Sequence, residues 1–149
     1  MLFSILFPLL NLASADQQCK AVPGTSSWPS LTKWNALNQS IEGRLLRPSP
    51  PGAVCHSSRP EYNAAACTIV TNGWAVIDFQ PTLPNGNAWN NWNNDSCLPD
   101  PTAPCSGEGY PVYVINARSS QDVKHGIDFA RDNNIRLVVK GTGVDYVGR

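Results

Sequence analysis

Residues 110–149 read YPVYVINARSSQDVKHGIDFARDNNIRLVVKGTGVDYVGR, and this regular stretch decides the fold class. Residues 110–117 are rich in valine, isoleucine and tyrosine and predict a β-strand, with Pro111 confined to its start. Residues 135–139 (IRLVV) predict a second strand of the same character. A helix between them would complete a strand–helix–strand unit of about thirty residues, the size of a βαβ crossover.

The segment between these strands carries the start and stop signals of a helix. Ser119 or Ser120 provides an N-cap, and Asp122 places a carboxylate in the first turn, where it interacts favourably with the helix dipole. Two consecutive asparagines, Asn133 and Asn134, predict the end of the helix. The apolar residues in between recur at intervals of four and three and predict one apolar stripe, formed by Val123, Ile127 and Ala130.

The second strand runs into a glycine-rich loop, KGTG at residues 140–143. Glycines expose successive backbone N–H groups without a Cβ in the way, and such a concavity binds phosphate. The Rossmann fingerprint fails, because Tyr146 stands where its third glycine belongs. A Walker loop nearly fits residues 143–148, but Arg149 replaces its lysine. An ordinary glycine-rich connection between a strand and a turn is the simpler alternative.

A wider pattern covers more than the loop. Residues 110–149 resemble the start of the PCMH-type FAD-binding domain of the vanillyl-alcohol oxidase and berberine bridge enzyme-like superfamily. Upstream, CKAVPGTSSWPSLTKWNALNQSI and NDSCLPDPTAPCSGEGYPVYV resemble the N-terminal region of its secreted fungal members, so the resemblance runs from about residue 19 to residue 149. In that family a pyrophosphate loop follows, written basic-x-x-G-H-x-x-x-G. The residues that match it are Lys140, Gly141, Thr142, Gly143, Asp145, Tyr146 and Gly148.

One position departs from the family loop. Where most covalent members carry the histidine that bonds the 8α-methyl group of the flavin, this chain has Val144. Valine has no nucleophilic nitrogen, so no such link can form there, whereas noncovalent binding through the loop backbone needs no particular side chain. The resemblance thus implies FAD as the cofactor, bound at Lys140, Gly141, Thr142, Gly143, Val144, Asp145 and Gly148.

The predicted fold class is α+β: a Cys/Pro-rich loop region followed by the first βαβ unit of a PCMH-type FAD-binding domain, truncated. The predicted organisation is a signal peptide at 1–15, a Cys/Pro-rich N-terminal region at 16–109, and an incomplete flavin domain at 110–149. By the resemblance, the catalytic groups would come later in a full-length enzyme, so no catalytic residue is assigned. We therefore expect the 149-residue chain alone to be inactive and to bind FAD weakly or not at all.

The first fifteen residues predict export. Residues 2–12 are almost wholly apolar but shorter than the roughly 20 residues that span a bilayer. Residues 13–15 (ASA) have the small-x-small form of a signal-peptide cleavage site, although a buried N-terminal helix or strand is the alternative. Two sequons, at Asn38 and Asn94, would be open to N-glycosylation in a eukaryotic secretory pathway. Together these features predict a secreted, extracellular protein, with no membrane attachment after cleavage.

All five cysteines follow the proposed cleavage site, and none belongs to a C-x-x-C pair. Cys55 and Cys67 enclose one short loop, and Cys97 and Cys105 enclose another. Each pair therefore predicts a local disulfide, which stabilises a fold by roughly 2–4 kcal/mol. Cys19 is left as the unpaired thiol. The two histidines do not complete a zinc spacing, so no metal site is predicted.

Residues 16–109 show no sustained helical or strand periodicity. A short helix is predicted around residues 30–37, and two short strands flank a tight Asn-Gly turn within residues 68–79. Trp89 and Trp92 lie in an asparagine-rich loop. They could stack on sugars, but the favoured interpretation is that their burial fixes this loop to the body of the protein.

These observations predict an FAD-dependent oxidoreductase, present as its N-terminal part. The chain has zero formal net charge and only 15% charged residues, which gives no basic footprint for nucleic acid. In the full-length enzyme the resemblance implies hydride transfer to the flavin from a small-molecule substrate, namely an alcohol, a sugar or a phenol. The alternative is a small secreted, disulfide-containing protein that binds a glycan or a partner.

Overall fold

A computed structural model describes residues 19–88 and 90–144. The proposed signal peptide at 1–15 and the tryptophan at position 89 therefore lie outside the described residues. Within them, five helices and strands are connected by long loops and by short 3-10 helices at Pro51–Cys55, Gln80–Thr82 and Asn90–Asn93. The five elements are α1 (Leu31–Ser40), β1 (Leu45–Leu46), α2 (Ala64–Gly73), β2 (Val114–Ile115) and α3 (Ser120–Asp132).

Helix α1 confirms the helix predicted around residues 30–37. The side chain of Ser30 accepts a hydrogen bond from the Lys33 backbone N–H at 3.4 Å and caps the N-terminus. Trp34 and Leu37 are buried, as is Ile41, which caps the C-terminus. Their three- and four-residue intervals put the three side chains on one face of the helix.

The two strands predicted within residues 68–79 are wrong, because α2 occupies the first half of this segment and turns follow in the second half. Asn63 caps the helix by accepting from the Ala66 backbone N–H at 2.9 Å, and three alanines with high helix propensity follow. Only Val70 of this helix is buried. The Asn-Gly pair ends the helix and has no left-handed backbone, which the predicted tight turn would require.

The hydrophobic core joins the N-terminal region to the C-terminal unit. Trp34 stacks on Tyr113, with ring centroids 4.0 Å apart, and also contacts Phe129 of α3. Ile41, which is fully buried, lies in the same cluster. The chain on both sides of residue 109 therefore contributes to one hydrophobic cluster. The partly buried residues around this cluster are Trp28, Leu45, Tyr113, Ile115, Phe129 and Ile135.

The predicted strand–helix–strand unit is present with shorter strands than the sequence suggests. Its first strand is reduced to β2, which pairs antiparallel with β1. Its second strand is reduced to Ile135, which forms a parallel bridge with Ala21. Among the residues that the structure describes, 136–139 belong to no ladder, and all four stay exposed, including the apolar Leu137, Val138 and Val139.

Helix α3 is confirmed between its predicted start and stop. Ser119 and Asp122 form a capping box, and Asn133 caps the C-terminus. Of the predicted stripe only Ala130 is buried, since Val123 and Ile127 remain 44% and 45% exposed. Gly126 lies against the sheet instead, where an added Cβ would be 2.8 Å from Cδ1 of Ile115. The helix therefore approaches the sheet along its smallest side chains.

Both predicted disulfides are formed. Cys55–Cys67 joins the 3-10 helix Pro51–Cys55 to α2, and Cys97–Cys105 closes the proline-rich loop. Cys19 is the free and exposed thiol, as expected. Across the described ranges, every helix is too short or too polar to traverse a bilayer.

Candidate functional site

The predicted flavin loop follows directly after the bridge at Ile135. Residues 140–144 are exposed except for Gly143, which is half-buried. Gly143 has a φ of +85°, the left-handed conformation that glycine adopts without steric cost. Asp145 and Gly148, the other two residues predicted to bind FAD, lie outside the described residues.

Lys140 directs its side chain back onto the protein. Its ammonium donates hydrogen bonds to the backbone carbonyls of Pro81, Leu83 and Gly86, at 2.8, 2.6 and 3.2 Å. We call these three oxygens the carbonyl seat. Partial burial of the ammonium lowers the pKa of Lys140 from its ordinary value. The basic residue of the loop is thus bound to a segment some sixty residues earlier in the chain.

The opposite end of the loop is attached to the same segment. The backbone N–H of Ala88 donates to the carbonyl of Gly143 at 3.0 Å. A Cβ on Gly143 would lie 3.2 Å from Cε of Lys140 and 3.4 Å from Cβ of Pro81. The loop backbone therefore rests against the lysine stem and the proline ring.

The geometry of the loop fits a phosphate group. A Cβ added to Gly141 would meet nothing within 4 Å, so an anion can approach the backbone closely at this position. Gly143 is left-handed, and a left-handed residue is one of the two conformations that alternate in anion-binding backbone concavities. The groups that could hold the pyrophosphate of FAD are the backbone N–H groups of Gly141, Thr142, Gly143 and Val144.

The Val144 side chain is 38% exposed and carries no ionisable or nucleophilic atom. Asp78, a carboxylate to which no role is assigned, is exposed.

Trp92 is 45% exposed, so the favoured interpretation of a buried loop anchor is wrong for this residue. The short 3-10 helix Asn90–Asn93 leaves its indole partly outside, where the loop runs over the surface.

The two sequons differ in accessibility. Asn38 lies within α1, and its side-chain carbonyl accepts a hydrogen bond from the Leu45 backbone N–H at 3.0 Å. Asn94 is exposed in a turn with a φ of +59°. Ser96 of the same sequon donates its hydroxyl hydrogen to the Glu108 carbonyl. Among the described residues, no backbone group bonds the side chain of Asn94, whereas the side chain of Asn38 is bonded to the Leu45 backbone.

One cluster could be mistaken for a metal site. His56 lies beside Cys97 and Cys105, with the candidate ligand atoms within 4.8 Å of one another. The two sulfurs are joined in a disulfide, however, and Nε2 of His56 is 2.8 Å from the Leu98 carbonyl. A disulfide supplies no thiolate ligand, so this cluster offers a metal ion only the imidazole of His56.

The sequence carried no signal for the carbonyl seat. Backbone carbonyls have no residue-specific code, and the segment 80–88 contains no charged side chain that would pair with Lys140. The only sequence hint is local: two prolines and a glycine (Pro81, Pro84 and Gly86) favour a turn whose carbonyls can point the same way.

Relatives of this chain include flavoproteins. It is 45% identical over 141 residues to FAD-linked oxidoreductase apf9 of Gibberella fujikuroi, a match that covers 92% of this chain and 23% of that protein. It is 36% identical over 135 residues to VAO-type flavoprotein oxidase VAO615 of Thermothelomyces thermophilus, covering 88% of this chain and 24% of the relative. No protein-family model matches the chain.

Structural comparison, like sequence comparison, shows similarity to flavoproteins. The crystal structure of the VAO-type flavoprotein MtVAO615 from Myceliophthora thermophila C1 superposes with a TM-score of 0.81 at 36% identity, over 88% of this chain and 25% of that one. The VAO-type flavoprotein MtVAO713 gives 0.80 at 30% identity, over 88% and 24%. The chain therefore belongs to the VAO-type flavoproteins and FAD-linked oxidoreductases, and it spans about a quarter of the length of the relatives that it matches.

Proposed function

We propose that this chain supplies the N-terminal region and the pyrophosphate loop of a secreted, FAD-dependent oxidoreductase. The enzyme transfers hydride to the flavin from a small alcohol, sugar or phenolic substrate. The observation that carries the proposal is the exposed glycine loop at residues 140–144, which has its left-handed Gly143 in a chain whose fold matches solved flavoproteins.

The role of this chain in the reaction is to bind and orient the cofactor. Backbone N–H groups of the loop donate to pyrophosphate oxygens, and each such hydrogen bond to a charged acceptor contributes about 1.5–3 kcal/mol. The hydride acceptor is FAD, which supplies the redox chemistry when bound. Because Val144 has no nucleophilic atom, the flavin forms no covalent bond to this loop. Binding of FAD by the loop therefore depends on its backbone N–H donors alone.

A chimera tests this function. We expect that the VAO615 oxidase with its matching 135-residue segment replaced by that of this chain retains bound FAD. After denaturation and trypsin digestion, the loop peptide GTGVDYVGR (residues 141–149) should carry no flavin, because residue 144 has no nucleophile. In the same chimera, Val144→His should shift this peptide by the mass of the flavin. Absorption spectroscopy and mass spectrometry of the peptide provide both measurements.

The parent oxidase is the control for flavin loading, and cooperative thermal unfolding shows whether the chimera has folded. A folded chimera that takes up no flavin, with either valine or histidine at position 144, would contradict the proposed function. A flavin attached to the loop peptide of the valine chimera would contradict the noncovalent mode of binding.

We also propose that the protein is exported before it acts. Two disulfides, the signal peptide that the sequence predicts at residues 1–15 and an accessible sequon support this localisation. Expression in a filamentous fungus should deliver the chain to the medium with Asp16 as its first residue. A glycan should be found on Asn94 and not on Asn38, as read from N-terminal sequencing and peptide mass spectrometry. Retention of an uncleaved, unglycosylated chain inside the cells would contradict export.

A further inference from the structure

The flavin loop is held by a distant part of the N-terminal region. Residues 80–88, which we call the platform, contact the loop at both ends: the carbonyl seat receives Lys140, and Ala88 donates to Gly143. No other described part of the chain donates a hydrogen bond to the backbone of residues 140–143. The conformation of the loop therefore depends on the platform.

The ammonium group of Lys140 has no N–H donor left over for a ligand. An ammonium has three N–H donors, and three carbonyls of the seat lie within 3.2 Å of Nζ. A pyrophosphate oxygen would have to displace one of these carbonyls before it could accept from Lys140. The displaced carbonyl would in turn lose its charge-assisted partner.

Close packing and a hydrogen bond hold the backbone of the platform, which carries the three carbonyls of the seat, in position. Gly86 is required there, because a Cβ would lie 2.1 Å from the Gln80 carbonyl oxygen. Gln80 is 1% exposed, and Nδ2 of Asn85 donates to the Ser49 carbonyl at 3.0 Å. The platform is thus also attached to residue Ser49, which lies outside the loop and outside the platform.

We propose that Lys140 is a positioning residue for the flavin loop: it fastens the loop to the carbonyl seat of the platform and does not itself bind the pyrophosphate. This inference rests on the proposed function for its consequence, since the loop that is positioned is the one proposed to bind FAD. The geometry of the fastening is independent of any cofactor.

The decisive measurement is amide hydrogen exchange in the full 149-residue chain without FAD. In Lys140→Met the Ala88 amide should exchange about tenfold faster, because the hydrogen bond to Gly143 opens when the loop leaves its seat. The Asn133 amide, which donates to Phe129 at the end of α3, should be unchanged and shows that the fold is intact. Lys124→Met is the matched control, since Lys124 is an exposed lysine paired with Asp128.

A second variant separates fastening from direct contact with phosphate. Lys140→Arg keeps the charge, but the donors of a planar guanidinium diverge and cannot reproduce three bonds that converge on one nitrogen. We expect faster Ala88 exchange in this variant as well, and about tenfold weaker FAD binding in the chimera with the VAO615 oxidase. If Lys140→Met unfolds the chain, the Ala88 exchange rate of Lys140→Arg, compared with that of the unsubstituted chain, decides whether Lys140 fastens the loop.

Two results would overturn the inference: an unchanged Ala88 exchange rate in the folded variants, or FAD affinity in Lys140→Arg equal to that of the unsubstituted chimera. The second result would mean that charge alone matters, as in direct binding to phosphate. A chimera that binds no FAD with Lys140 intact would instead refute the proposed function, and the exchange rates would still decide whether Lys140 fastens the loop.

Discussion

Replacing Gly52 with alanine is expected to destabilise the chain by about 3 kcal/mol, the upper end of the usual cost of adding a methyl group to a packed interior. The new Cβ would lie 2.3 Å from the Cys97 carbonyl oxygen and 2.8 Å from the Leu98 carbonyl group. These are backbone atoms, held by the Cys97–Cys105 disulfide and by the contact of His56 with Leu98. They cannot move aside as a flexible side chain would. Thermal and urea-induced unfolding measure the loss.

Gly141→Ala is the matched control for this experiment. A Cβ at Gly141 meets nothing within 4 Å, so its free energy of unfolding should stay within about 0.5 kcal/mol of the original chain. Equal stability of the Gly52 and Gly141 variants would show that the 3-10 helix Pro51–Cys55 does not pack against the Cys97 backbone as described.

Asp122→Asn is expected to produce the second large loss of stability. The Asp122 side chain is almost fully buried, and its carboxylate accepts from Nη2 of Arg44 at 2.7 Å and from the backbone N–H groups of Arg118 and Ser119. Asparagine keeps the size but removes the charge, which leaves the guanidinium of Arg44 without its buried partner. This one side chain connects the residue that precedes β1, the start of α3 and the turn before α3.

The pH dependence of this effect has a definite sign. The hydrogen bond from Arg44, followed by the backbone N–H of Arg118, holds the pKa of Asp122 far below its usual range. A carboxylate with a lowered pKa in the folded state stabilises the protein above the pKa of the unfolded chain, near 4. That contribution is lost as the pH falls further, toward the pKa of the folded state. The difference in melting temperature between Asp122→Asn and the original chain should therefore be constant from about pH 7 to about pH 5 and shrink below about pH 4.

Asp132→Asn provides the control, because the Asp132 side chain is 62% exposed and pairs only with its neighbour Arg131. An exposed ion pair contributes about 0–1 kcal/mol, so this variant should melt close to the original chain at every pH. If the effect of Asp122→Asn were as large at pH 3 as at pH 7, the ion pair with Arg44 would not be its cause.

Local sequence signals predicted the elements whose stability is largely local. Helices α1 and α3 both begin at a serine whose side chain caps the first turn, and both signals are visible within a few residues. The two disulfides follow from short spacings in the same way. Helix α2 was missed because its isoleucine and valine favour strands. The Asn63 cap and the three alanines that follow it favour a helix instead, and the Cys55–Cys67 disulfide attaches that helix to the segment before it.

Pairing across the chain was beyond the reach of local signals. The valine-rich segment 110–117 has strand propensity throughout, yet only Val114–Ile115 pairs, with the two residues of β1. The apolar spacing of α3 suggested Val123 and Ile127 as the core face. Close packing against Ile115 instead selected Gly126, whose lack of a side chain lets the helix approach.

By itself, the sequence determined the family, the disulfide pairs, the caps of α1 and α3, and the glycine loop that implies FAD. These features depend on residue types at fixed short spacings, which the printed chain shows directly. Only the tertiary structure decided that Lys140 is fastened to a carbonyl seat and that Asp122 is buried with Arg44. Both contacts join residues more than fifty positions apart, and the first is made to backbone oxygens that every residue carries. Such contacts exist only once the core has brought the two segments together.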